Sequence, residues 1–157
     1  MMMEDEREFF HGSVRRRGSW ELEVILHSAV HIDLPLPDLT TAPSYYVCAR
    51  VDERVRTTRK RDWFSWANVV WEERFTMEVS SQPSEEWLYL ELVREGALQD
   101  PGSSTGQAVV GRAVVPLITS KKLRVPLHKP EGSNGGYLFV TLKLRERVVC
   151  PAYNFLP

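Results

Sequence analysis

Several kinds of residue pattern are scarce in this sequence, and each scarcity closes off a class of function. There are two cysteines, Cys48 and Cys150, and neither has a second Cys or a His at metal-ligand spacing. A disulfide scaffold and a zinc site are therefore not expected, and two free thiols suit a reducing compartment. No apolar run approaches the length of a membrane-spanning helix. Residues 1–17 pass from an acidic block to an arginine block with no long apolar region between, which is not the pattern of a standard secretory signal. The formal net charge is −1, so the whole molecule has no field that would draw it to nucleic acid or to a membrane. The four histidines, His11, His27, His31 and His128, stand in no recognisable catalytic spacing with Cys, Asp or Glu. His27 and His31 fit surface or loop positions better than a ligand pair. The run Gly102-Ser103-Ser104-Thr105-Gly106 lacks the Gly-Lys-Ser/Thr ending of a phosphate cradle, and no Gly-x-Ser-x-Gly elbow is present. No enzyme and no cofactor are expected. The expected location is cytoplasmic, with any membrane reached from its surface.

What remains is a succession of short alternating segments. In residues 73–79, Phe75, Met77 and Val79 alternate with Arg74, Thr76 and Glu78, the period of a strand with one buried face. Trp71 precedes that strand as an anchor, and Glu72-Glu73 reads as structural because neighbouring strand residues point to opposite faces. The same alternation predicts strands over 20–27, 45–51, 55–61, 87–93, 108–117, 123–127 and 137–145. The long connection 28–43 carries Pro35, Pro37 and Pro43 and cannot be helix. Asp52-Glu53 predicts a tight turn, and Asn134-Gly135 a hairpin turn. A second long loop, 94–107, is rich in Gly, Ser and Pro. The pattern predicts an all-β fold, an eight-stranded antiparallel β-sandwich over residues 19–147. A flexible N-terminal segment, 1–18, precedes it. An apolar C-terminal tail, 148–157, follows and is expected to pack on the body or on a partner.

Five stretches, in this order, resemble a C2 domain. Leu22-Glu23-Val24-Ile25-Leu26-His27-Ser28-Ala29 is similar to the opening of such domains. Tyr45-Tyr46-Val47 stands where they carry Asp-Pro-Tyr-Val. Asn68-Val69-Val70-Trp71-Glu72-Glu73-Arg74-Phe75 resembles their Asn-Pro-x-Trp-Asn-Glu-x-Phe signature, with Val69 in place of the proline. Leu88 to Val93 resembles the strand before their third loop. Val110-Gly111-Arg112-Ala113-Val114-Val115-Pro116-Leu117 resembles the Ile-Gly-x-x-x-Ile-Pro-Leu strand after it. The likeness covers residues 20–147, and the ending is most similar to small, single-domain plant C2 proteins. It implies a sandwich whose loops, in many members, use carboxylates to hold calcium and through it phospholipid.

The ligand positions that the resemblance implies are depleted in this sequence. The aspartate of the Asp-Pro pair falls at Pro43. Arg94, Glu95 and Gly96 occupy the third-loop Asp-x-Asp, and the last loop aspartate falls near Ala108. Asp33, Asp38 and Asp100 are the remaining metal candidates. A tight calcium site needs several anionic oxygens, so calcium binding is not expected. The main electrostatic feature is instead the run Arg50, Arg54, Arg56, Arg59, Lys60 and Arg61, followed at once by Trp63, Phe64 and Trp66. In a strand Arg59 and Arg61 would share a face, with Arg50 and Arg54 approaching from the neighbouring strand. The resemblance sets Arg59 and Arg61 where many C2 domains carry phosphoinositide-binding lysines.

Two readings follow for this run. One is a lipid-binding set for an anionic phospholipid or phosphoinositide surface, in a calcium-independent adaptor of intracellular signalling. The other is a charged edge that blocks aggregation, with the tryptophans packed under the loop. The alternative function is a protein-interaction module without direct lipid binding, with candidate surfaces in the Trp63–Trp66 cluster, the 94–107 loop and the tail 148–157. A weak calcium-dependent sensor is the third alternative. No nucleic-acid partner is expected.

Overall fold

Alternation of apolar and polar residues dictates a pleated chain with one face inward, and the computed structural model, which describes residues 19–32, 43–62, 68–79, 82–96 and 107–147, follows it closely. The strands are β1 (Ser19–Val30), β2 (Ser44–Val51), β3 (Arg54–Thr57), β4 (Arg61–Asp62), β5 (Val69–Val79), β6 (Trp87–Glu95), β7 (Gln107–Pro116), β8 (Leu123–His128) and β9 (Asn134–Arg147). One short 3-10 turn, Pro83–Glu85, is the helical element among the described residues. All strand pairs are antiparallel, in the order β3-β2-β6-β7-β8-β9-β1-β5, with β4 continuing beside β2. A single residue pair, Arg112 opposite His128, joins β7 to β8. At that weak seam the path folds over into two layers, β3-β2-β6-β7 and β8-β9-β1-β5. Between them lie Leu22, Val24, Leu26, Val47, Ala49, Leu88, Leu90, Leu92, Leu138, Val140 and Leu142, all buried. Each buried leucine contributes about 1.5–3 kcal/mol, so the core carries most of the stability.

Outside the basic run, the structure differs from the sequence expectation at three places, and bulges explain them. β1 does not stop at His27 but runs on to Val30. Leu26 pairs with Val140 and Ser28 with Phe139, so His27 is an extra residue against β9. The inward set consequently jumps from Leu22, Val24 and Leu26 to Ala29, and the period of two is broken where the strand continues. β5 starts at Val69, earlier than residue 73, and carries its own extra residue against β1, with Glu72 at φ 47°. One imidazole fastens both irregularities. His27 Nδ1 lies 2.9 Å from Glu72 Oε2, and Nε2 lies 2.8 Å from Thr141 Oγ1, tying β5, β1 and β9 together. His27 is thus a strand residue with a structural task.

The third difference is the last hairpin. Asn134-Gly135 is not its turn. The chain reverses earlier, where Gly132 N donates to Lys129 O at 2.8 Å and Lys129 N donates to Ser133 O at 2.9 Å, with Gly132 at φ 94°. Asn134 opens β9, and its Oδ1 accepts from Gly136 N at 2.8 Å. The Asn-Gly-Gly run makes a bulge, because Gly136 sits at φ 110° with Val30 O only 2.8 Å from where a Cβ would stand. Glycine is required there by both backbone angle and space. Gly136→Ala is therefore expected to cost about 2 kcal/mol or more, and Gly132→Ala, which meets nothing within 4 Å, clearly less. Urea denaturation of the two variants should show this order in their midpoints, and equal midpoints would contradict it.

Candidate functional site

The basic run was expected to be one strand over 55–61. It is two pieces with a step between them. β3 ends at Thr57, β4 is Arg61–Asp62, and residues 58–60 leave the ladder. Thr58 causes the step. It is buried, its N donates to Val47 O at 2.9 Å, and its hydroxyl accepts from Val47 N at 2.9 Å. A side-chain oxygen has taken the place of a ladder carbonyl, so the following backbone is set off from β2. β5 picks that backbone up. Trp71 Nε1 donates to Arg59 O at 3.0 Å, and Arg59 N donates to Glu73 Oε1 at 3.0 Å. The tryptophan and the second glutamate of the anchor stretch clamp one residue's backbone in the basic run from both ends. Glu72 instead faces His27, so the glutamate pair does divide between two faces.

The step also redistributes the cations. Arg59 is not in a strand, so the alternation that would set it beside Arg61 does not apply. In the β2–β3 register Arg54 is opposite Val51 and Arg56 opposite Ala49, on the face of two buried residues. Both arginines line an open cleft of about 460 Å³ at the rim of the sandwich, with Glu21, Thr76, Met77, Glu78 and Arg147. Arg50 pairs with Val55 and points the other way, its guanidinium 5.3 Å from the centroid of Tyr89. Three cations already have carboxylates. Arg54 Nη2 lies 3.5 Å from Glu78, Arg59 Nε 3.5 Å from Glu73, and Lys60 Nζ 2.8 Å from Glu95. The hydrogen bond from Lys60 to Glu95 holds the lysine's pKa above its usual value. Arg56 and Arg61 are exposed and have no ion-pair partner among the described residues. Trp63, Phe64, Trp66, Asp33, Asp38, Asp100 and the segments 1–18 and 148–157 lie outside the described residues.

A second feature escaped the sequence reading. Val55, Arg50, Tyr89 and Val114 form one row across β3, β2, β6 and β7 on the outer face of that layer. The three uncharged members are 52%, 42% and 50% exposed. Each looks like an isolated residue along its own strand, and only the register brings them together. Beside the row, Glu91 is held by Arg112 at 2.8 Å. Cys48 lies next to it, and burial first, then Glu91, pushes its thiol pKa up, which keeps it protonated and unreactive at neutral pH.

Against this geometry, the sequence profile of the C2 domain matches residues 20–132. The chain belongs to the C2 domain family. No curated protein matches it by sequence. Among solved structures, a C2 domain of plant Extended Synaptotagmin 1 shares 18% identity at a TM-score of 0.59, over 83% of this chain and 96% of that one. A C2 domain-containing protein from a putative elicitor-responsive gene shares 19% at 0.60, over 85% and 93%. A portion of Extended-Synaptotagmin 2 that joins its SMP domain to two C2 domains shares 20% at 0.60 over 84% of this chain, which spans only 29% of that one. These likenesses establish the fold. A C2 domain is a non-catalytic module, and no helix among the described residues is long and apolar enough to cross a membrane.

The family's calcium loops can be followed at their stems. β2 opens at Ser44 directly after Pro43, and neither residue carries a carboxylate. β6 ends at Arg94-Glu95, and the Glu95 carboxylate already faces Lys60. The C2 signature around Trp71 therefore serves the basic edge directly. Trp71→Phe keeps a ring in the core and leaves Arg59 O with only the longer, 3.2 Å bond donated by the Thr58 hydroxyl, an expected loss of about 1 kcal/mol. Glu73→Gln, which can still accept from Arg59 N, is expected to lose less. Denaturation midpoints with unchanged slopes are the measurement, and a Trp71→Phe protein as stable as wild type would contradict the clamp.

Proposed function

We propose that the chain is a calcium-independent C2 module that binds anionic phospholipid surfaces through its basic edge. In this reading it serves as an adaptor in intracellular signalling. The observation that carries the reading is the pair Arg56 and Arg61. Both are exposed, both flank a backbone step clamped by Trp71 and Glu73, and neither has a carboxylate partner among the described residues. Guanidinium groups suit bidentate contact with phosphate, and a fixed backbone lowers the entropy lost on binding. Arg59, Lys60 and Arg54 stand near them but are already engaged with Glu73, Glu95 and Glu78. Trp63, Phe64 and Trp66 follow in sequence and supply the ring type that settles at a membrane interface. Calcium has no role in this reading, since Pro43 and Arg94 replace anionic ligands and a cation opposes a divalent ion.

A protein-binding reading is favoured by one separate observation, the exposed row Val55, Tyr89 and Val114. Exposed apolar patches of this kind mark protein contacts. Salt separates the two readings, because screening weakens a charged lipid contact and leaves an apolar interface intact.

Co-sedimentation with phosphatidylcholine vesicles carrying phosphatidylserine or a phosphoinositide tests the proposal. Each arginine near an anionic surface contributes about 1 kcal/mol, so Arg56→Glu with Arg61→Glu should weaken binding at least about tenfold. Arg54→Glu should matter less. Equal pelleting of wild type and the double variant would sink the lipid reading. Calorimetric titration with calcium is expected to give no stoichiometric isotherm in the micromolar range, and pelleting should be the same with calcium or with chelator. A clear isotherm would return the domain to the calcium-dependent class.

A further inference from the structure

The apolar row Val55, Tyr89 and Val114 belongs to a larger patch. Trp87 is opposite Pro116 in the β6–β7 register, one outward position beyond Tyr89 and Val114. Trp87 is 46% exposed, and Ile118, whose N donates to Pro116 O at 3.0 Å, is 51% exposed. Five of the six exposed large hydrophobics among the described residues thus gather on one sheet face and its end, so they are not singly scattered surface residues. An apolar patch of this kind marks a contact surface. Cys48, Arg50, Val55, Tyr89 and Val114 line a groove of about 380 Å³ along it. The charges beside the groove are already engaged, Arg50 by the Tyr89 ring and Glu91 by Arg112.

β9 ends at the same end of the sandwich. Leu144 N donates to Thr119 Oγ1 at 3.0 Å, which sets the last residues of β9 beside Ile118. Arg147, where β9 stops, lines the rim cleft together with Val55. The residues that follow, 148–157, carry no charged side chain and include Val148, Val149, Tyr153, Phe155 and Leu156. A segment of that length reaches at most about 33–36 Å when extended, and the face from β7 to β3 is about 14 Å across, so the reach is ample. The outer face of the other layer suits such a segment less. It carries Glu21, Glu23, Lys143 and Arg145 in ion pairs, and an uncharged cover would take those charges out of water at a cost.

We propose that residues 148–157 dock along the outer face of the β3-β2-β6-β7 layer and cover the row Val55, Tyr89 and Val114. The inference is independent of the lipid reading of the basic edge. It gives the row an occupant from this chain, where the protein-binding reading gives it one from another.

The test is paramagnetic relaxation read by NMR on the full, isotope-labelled chain. A nitroxide is attached at Asn154→Cys in a protein that also carries Cys48→Ser and Cys150→Ser. The backbone amides of Arg50, Tyr89 and Val114 should lose intensity, and those of Tyr137 and Phe139 on the other layer should keep theirs. Tyr89→Asp with Val114→Asp puts charge on the face and should restore the Arg50 amide. Tyr153→Ser with Phe155→Ser, which leaves the face intact, should restore all three. No loss of intensity on the face in the labelled parent would overturn the inference. Loss that survives both pairs of substitutions comes from the tether alone and refutes docking. Loss equally strong between molecules, in a mixture of spin-labelled and isotope-labelled chains, assigns the face to a second copy and refutes docking within one chain.

Discussion

The backbone of one residue, Arg59, decides how this domain presents its charge. Its carbonyl accepts from the Trp71 indole and from the Thr58 hydroxyl, and its N–H donates to Glu73, so it is satisfied by side chains instead of by the β2 ladder. Backbone polar groups near a core must find partners, and at a sandwich edge the ladder offers only one side. Thr58 releases the backbone from β2 by bonding Val47 with its own hydroxyl, and the tryptophan and glutamate receive it. The rim that results is tied to both layers. Without that exchange, residues 54–62 would be one plain edge strand with alternating cations, open to pairing with another chain.

The same economy appears on the opposite side of β5. His27 and Glu72 each sit at an irregularity of pairing, and each is the other's partner. Two bulges set against one another let β1 lie between β5 and β9 while its inward face changes parity from Leu26 to Ala29. Bulges bend and twist a strand locally, and here they are fixed by hydrogen bonds across three strands. The Asn-Val-Val-Trp-Glu-Glu stretch therefore has two outputs: the indole and Glu73 arrange the basic edge, and Glu72 arranges the bulge.

The sequence made the sandwich legible because period-two patterning is a local property. Leu88, Leu90 and Leu92, or Leu138, Val140 and Leu142, announce their face without help from the rest of the chain. Every place where the reading differed from the structure is one where the determinant is non-local. The extension of β1 past His27 depends on Glu72 and Thr141, far along the chain. The step at Thr58 depends on Val47 and Trp71. The Asn134-Gly135 pair has the composition of a hairpin turn, yet the closeness of Val30 to Gly136 converts it into a bulge. The basic run itself was plain from composition, but which of its members remain available was not. Pairing of Arg54 with Glu78, Arg59 with Glu73 and Lys60 with Glu95 is set by strand order, and so is the row Val55, Arg50, Tyr89 and Val114.

That dispersal bears on how a chain of net charge −1 can still carry locally positive surface. Interactions among exposed charges fade over about 8 Å at physiological salt, so a partner responds to the local surface and not to the total. In this domain most carboxylates of the sheet faces are consumed by nearby cations, as at Glu21, Glu23, Glu78 and Glu91. Exposed cations without an ion-pair partner among the described residues include Arg56 and Arg61 at the basic edge and Arg74, Lys122 and Arg124 on the outer face of the other layer. Near-neutrality overall is compatible with locally positive surface because many acids are paired where they stand while these cations are not. A protein arranged in this way has little long-range field, and its charges are felt only at contact distance.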